Sequence, residues 1–91
     1  MAQDRPDDKP IAWLALAEGT VVVSADGVEI GRVSEIVGDT AADIFSGITL
    51  RSGLFAEERF VPAERVARIT PAAVHLDVGE AETADLQVYE R

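Results

Sequence analysis

The chain contains no cysteine, so no disulfide framework, thiolate nucleophile or cysteine-ligated metal can be built from it. Histidine is nearly absent: His75 is the single one, too few for the usual spacing of a zinc site. The only lysine is Lys9, and the phosphate-loop signature Gly-x-x-x-x-Gly-Lys-Ser/Thr does not occur. Basic charge in general is scarce, with 8 basic residues against 17 acidic ones and a formal net charge of −9. Affinity for nucleic acid comes largely from Lys and Arg neutralising phosphates. An acidic domain without a basic stripe repels that partner, and anionic membrane surfaces are disfavoured in the same way. Long hydrophobic runs are missing too. Ile11 to Ala17 is too short to span a bilayer, and Met1 to Pro10 lacks the basic-then-apolar order of a signal peptide. The expected compartment is the cytoplasm.

What is present suits one small folded unit. Hydrophobic residues make up 47% and charged residues 27% of 91 residues, ordinary values for a globular domain with one modest core. Residues 1–10 carry Asp4, Asp7, Asp8 and two prolines and read as a mobile tail. Ile11-Ala-Trp-Leu-Ala-Leu-Ala17 fits one or two helical turns, or a short extended segment, with Gly19 where a C-cap glycine would stand.

From Thr20 the pattern changes to short strands and turns. Thr20-Val-Val-Val-Ser24 is short and β-branched, and Asp26-Gly27 supplies the positive φ of a tight hairpin. The next run alternates, with Val28 and Ile30 inward and Glu29 outward, until Val33 takes the opposite parity beyond Gly31. A glycine at such a slip predicts a bulge or sharp bend, which curls a sheet into a barrel. A third strand is expected over Ile44 to Ser52, with Ile44, Ile48 and Leu50 on one face, and a hairpin tip carries Leu54 and Phe55. A return strand ends at Pro62, a turn spans Ala63 to Arg65, and strands follow over Val66 to Ile69 and Val74 to Val78. Short strands divided by turn signals every 8–12 residues or so argue for a sandwich or barrel, and six candidate strands favour closure into a barrel.

The order of these pieces has a likeness. Gly19-Thr-Val-Val-Val23, Asp26-Gly27-x-x-Ile30-Gly31-x-Val33, Ile44-Phe45-x-Gly47-Ile48 and Phe60-Val61-Pro62-Ala63-Glu64-x-Val66, closed by Val74-x-Leu76, resemble the PRC-barrel family. That family is named for the barrel of the photosynthetic reaction centre H subunit and includes the C-terminal domain of a ribosome maturation factor. Asp43-Ile-Phe-Ser-Gly47 and Arg59-Phe-Val-Pro-Ala-Glu64 look like its small stand-alone bacterial members. The resemblance implies a docking or assembly barrel and supplies no catalytic residue.

The candidates for chemistry each have a plainer explanation. His75 alternates against Val74, Leu76 and Val78 and is expected to face outward. Ser24, Ser34, Ser46 and Ser52 lie on no nucleophile elbow and near no glycine-rich oxyanion loop. Asp39 and Asp43 could frame a cation, but a capped loop explains them as well, and neither they nor the tail carboxylates have calcium-loop spacing. Arg59, Arg65 and Arg68 are expected to pair with Glu57, Glu58 and Glu64. Apolar residues remain outside the barrel pattern: Trp13 and Leu14 before it, Leu54 and Phe55 at the tip, Tyr89 after it. Either they cover the barrel or they meet another chain.

The sequence therefore predicts an all-β fold, a six-stranded PRC-type barrel over residues 19–78, flanked by a tail with a short apolar segment (1–18) and an acidic then apolar tail (79–91). Its expected function is a non-enzymatic interaction module without cofactor or metal. Contacts through Trp13, Leu14, Leu54, Phe55 and Tyr89 would be with a protein partner or in a homodimer; the alternative is a barrel that binds a small ligand or cation.

Overall fold

The computed structural model describes residues 11–52 and 58–89. Seven strands make one sheet: β1 (Val21–Val23), β2 (Glu29–Asp39), β3 (Ile44–Arg51), β4 (Arg59–Pro62), β5 (Val66–Ile69), β6 (Ala73–Leu76) and β7 (Gln87–Val88). They lie in the order β5-β6-β1-β2-β3-β4-β7. All pairings are antiparallel except β1 with β6.

The sheet curls because of how its ends are connected. β5 and the β4-β7 pair stand at opposite ends of the strand order, yet only the 3₁₀ turn Ala63–Arg65 joins β4 to β5. Three residues of 3₁₀ helix advance the chain about 6 Å, so the two ends of the sheet must approach one another. The concave face then becomes the core. Val22, Ile48, Leu50, Val61 and Val74, from four strands, are wholly buried in one cluster. No ladder joins β5 to β4 or β7, so the barrel keeps a seam.

The bend is written into β2. Against β1, Val22 faces Gly31 while Val23 faces Glu29, which leaves Ile30 as the extra residue of a bulge. The parity slip between Ile30 and Val33 thus has the expected origin, and both side chains are buried. Gly31 is needed for space: a β-carbon there would overlap the Arg51 carbonyl oxygen and stand 2.7 Å from Leu50 Cδ1. Two further register shifts separate β2 from β3, one at Ser34 and one at Ser46.

Several expectations need correction. The sheet has seven strands rather than six, because the predicted tail over 79–91 adds structure within its described residues, 79–89. Glu80–Asp85 forms a 3₁₀ helix and Gln87–Val88 pairs with β4. Val28 is not in the core but 37% exposed; it precedes β2 in the turn closed by the Ser24 amide donating to the Val28 carbonyl, so it sits at the rim. Ile44 is 56% exposed. The Ser46 bulge and Gly47, at φ +151°, break the parity between Ile44 and Ile48, and Phe45 turns toward the core instead. The predicted mobile tail over 1–10 and the tip carrying Leu54 and Phe55 lie outside the described residues.

Candidate interaction surface

The segment before β1 is fastened to the barrel by its apolar residues. Alanine and leucine give it a single 3₁₀ turn, Trp13–Ala15, after which Leu16 is extended and buried. Gly19, at φ +89°, turns the chain into β1, and its amide donates to the Val33 carbonyl at 2.8 Å. Trp13 lies half-buried and stacked on Phe45, with ring centroids 5.4 Å apart. Its Nε1 donates to Asp43 Oδ1 at 2.9 Å. Asp43 adopts a left-handed φ of +55°, which aspartate tolerates better than most residues. Asp39 Oδ1 accepts from the Ala41 and Ala42 amides. Both carboxylates therefore serve the turn and its tryptophan.

The C-terminal segment is fastened similarly. Tyr89 stacks on Phe60 at 6.0 Å, and its amide donates to the Glu58 carbonyl at 2.9 Å. Arg59 Nη1 donates to the carbonyls of Leu86 and Ala84 at 2.9 and 3.3 Å. The Glu80 amide donates to Asp26 Oδ2, tying this segment to the first hairpin.

Of the five expected contact residues, Trp13 and Tyr89 thus rest on their own barrel. Leu14 is 52% exposed beside Trp13 in sequence, and the exposed Ile44 stands between Asp43 and Phe45, the two residues that hold Trp13. The structure does not bring Leu14 and Tyr89 to one site, since they flank clasps on different strands. Ile44 was missed because strict alternation placed it inside.

Phe45, which Ile44 precedes, borders the seam. A groove of ≈ 470 Å³ is lined by Ile11, Phe45, Ala63, Val66, Ala67, Arg68 and Ile69. At its end the Ile11 amide donates to the Ile69 carbonyl at 2.8 Å. Arg65 and Arg68 depart from the expected pairing, and Glu57 lies outside the described residues. Arg65 faces Asp77 at 3.6 Å, Glu58 is taken by Arg51 at 2.9 Å and by the Ser34 hydroxyl at 2.6 Å, and Arg68 has no ion pair or hydrogen bond among the described residues.

A second, roomier groove of ≈ 850 Å³ is lined by Glu18, Glu29, Arg32, Ser34, Arg51 and Ser52, among others. Its polar groups are largely occupied with one another: Arg32 Nη1 donates to the Gly19 carbonyl at 3.0 Å, and Arg51 and Ser34 meet on Glu58. The barrel centre is filled by side chains, so a ligand would have to sit outside it. His75 is half-buried on β6, less outward than alternation predicted. Among the described residues no three His, Cys, Asp or Glu side chains gather as metal ligands, and no helix is long and apolar enough to cross a membrane.

One curled sheet around a packed centre, with no helix longer than six residues among those described, defines a small β-barrel module. The PRC-barrel domain profile matches residues 17–82, and the chain belongs to the PRC-barrel family. No curated protein matches it. Trp13 and Tyr89 fall outside the matched span, while the rings they stack on, Phe45 and Phe60, fall inside it.

Proposed function

We propose that this chain is a non-enzymatic docking module that binds a protein partner on the face formed by Leu14, Ile44 and the adjacent seam. The observation that carries this reading is the exposure of two large aliphatic side chains, Leu14 at 52% and Ile44 at 56%, each next in sequence to a ring of the Trp13–Phe45 stack, with Phe45 lining an apolar groove in a barrel whose interior is already full. Apolar patches of this kind on small domains mark contact surfaces. A different protein is a better partner than a second copy. Trp13 and Tyr89, two of the groups that suggested a dimer, are used within the chain, and a net charge of −9 on each copy opposes pairing. The same charge makes nucleic acid a poor partner.

The test is capture from native extract on the immobilised full chain, followed by titration of the purified captured protein. Saturable one-to-one binding that is lost in a Leu14→Asp, Ile44→Asp double variant of unchanged melting temperature supports the reading. Capture indifferent to both substitutions overturns the face. A metal or small molecule that raises the melting temperature, as a ligand of the folded state must, would favour the ligand-binding alternative.

A further inference from the structure

We propose that the seam receives an extended, carboxylate-bearing segment of the partner as an added strand on the β5 edge. This rests on the docking reading and specifies its chemistry. Three observations converge. First, β5 ends the strand order, and its outer side already works as a hydrogen-bonding template for one residue of this chain, through Ile11 to the Ile69 carbonyl at 2.8 Å. Nothing pairs with the rest of that edge among the described residues. Second, across the groove β3 lacks a second strand neighbour over its first residues among those described. β3 pairs with β4 only from Gly47 onward, so Ile44 to Ser46 have no strand on that side, and Phe45 lies on the groove wall. An extended chain laid along the β5 edge gains main-chain hydrogen bonds, and its alternate side chains reach the apolar wall formed by Phe45 and Val66.

Third, the charge is specific. Arg68 is the one charged side chain lining the groove, it is exposed, and it has no partner among the described residues. A carboxylate on the incoming segment would pair with it. A second copy docking edge to edge would instead bring Arg68 toward Arg68. The four-residue β5 spans about 13 Å, so a segment of six to eight residues suffices.

The experiment uses the full chain and a synthetic eight-residue peptide alternating valine and threonine with a central glutamate, followed by amide NMR. Saturable shifts at Val66, Ala67, Arg68 and Phe45 are expected. Binding should weaken about threefold to fivefold with lysine in place of glutamate, the range of an exposed ion pair. Arg68→Glu should reverse the preference between the two peptides, a swap that general instability of the variant would not produce. Absent shifts, shifts confined to other strands, or indifference to the charge swap would overturn the proposal. So would peptide-free contacts from β5 to residues 1–10, which would make the chain's own start the occupant, or a β5 shift that tracks protein concentration, which would make it a second copy. A chain that binds its captured partner through Leu14 and Ile44 yet fails the peptide test keeps the docking reading and loses this site alone.

Discussion

The two ends of the described chain are held by the same device with different completeness. Before the barrel, Trp13 stacks on Phe45 of β3; after it, Tyr89 stacks on Phe60 of β4. The C-terminal clasp adds backbone pairing, with Val88 opposite Arg59 and Gln87 opposite Phe60, and so covers the β4 edge. The N-terminal clasp adds no ladder: beside the Trp13 stack and its indole hydrogen bond it has the buried Leu16 and a single backbone bond to the β5 edge. Among the described residues, one edge is sealed and the other takes only that single bond. In a sheet this small, an unpaired edge is a hazard that proteins ordinarily blunt, which is why the open one is the better candidate for use.

The largest effect is expected from removing the wall on which both clasps stand. Gly47→Val would drive a side chain into the Val61 carbonyl at a residue with φ +151° and separate β3 from β4. A loss of about 3–4 kcal/mol is expected, read from the urea midpoint, and Gly31→Val should cost a similar amount through its overlap with Arg51. Should either variant melt like the parent, the account of the curl is wrong. Next come the clasps. Trp13→Ala should cost about 2 kcal/mol, less than a fully buried ring, because Trp13 is only half-buried and Leu16 still anchors its segment. Tyr89→Ala should cost about 1 kcal/mol, because β7 keeps its ladder. Equal losses in paired denaturation curves would erase the contrast.

Within the N-terminal clasp, Asp43→Ala removes the indole's acceptor and leaves a left-handed backbone position without a residue suited to it. About 1–2 kcal/mol should be lost, whereas Asp43→Asn, which keeps an acceptor and tolerates that conformation, should stay within about 0.5 kcal/mol of the parent. A tryptophan emission shift in the alanine variant alone would locate the damage at Trp13. The smallest effect belongs to Arg65→Ala. Its 3.6 Å contact with Asp77 is exposed on both sides, and such pairs contribute about 0–1 kcal/mol. A thermal melt unchanged by this substitution is the expected result.

Much of the barrel was legible in the residues because strand alternation, turn dipeptides and glycine placement are local properties. The Asp26-Gly27 hairpin, the slip at Gly31, the turn over Ala63 to Arg65 and the inward Val74 and Leu76 all follow from neighbours a few positions apart. The errors came where a local rule met a distant constraint. Ile44 kept its parity on paper, but a bulge at Ser46 and the bend at Gly47 moved it outward. β7 was invisible because two residues, Gln87 and Val88, make no pattern of their own; they become a strand only beside Arg59 and Phe60. The candidate face was harder still. Trp13 and Leu14 are adjacent apolar residues, and only the position of Phe45 and Asp43, about thirty residues on, decides that one is covered and the other exposed.

By itself, then, the sequence determined an acidic, cysteine-free, all-β barrel of the PRC type and where its sheet must bend, because those depend on backbone preferences and short-range periodicity. Only the tertiary structure decided the number of strands, which edge is sealed and which is open among the described residues, and that Arg68 has no partner among them. Those outcomes depend on which segments reach one another after the sheet has curled, and no local pattern encodes that distance.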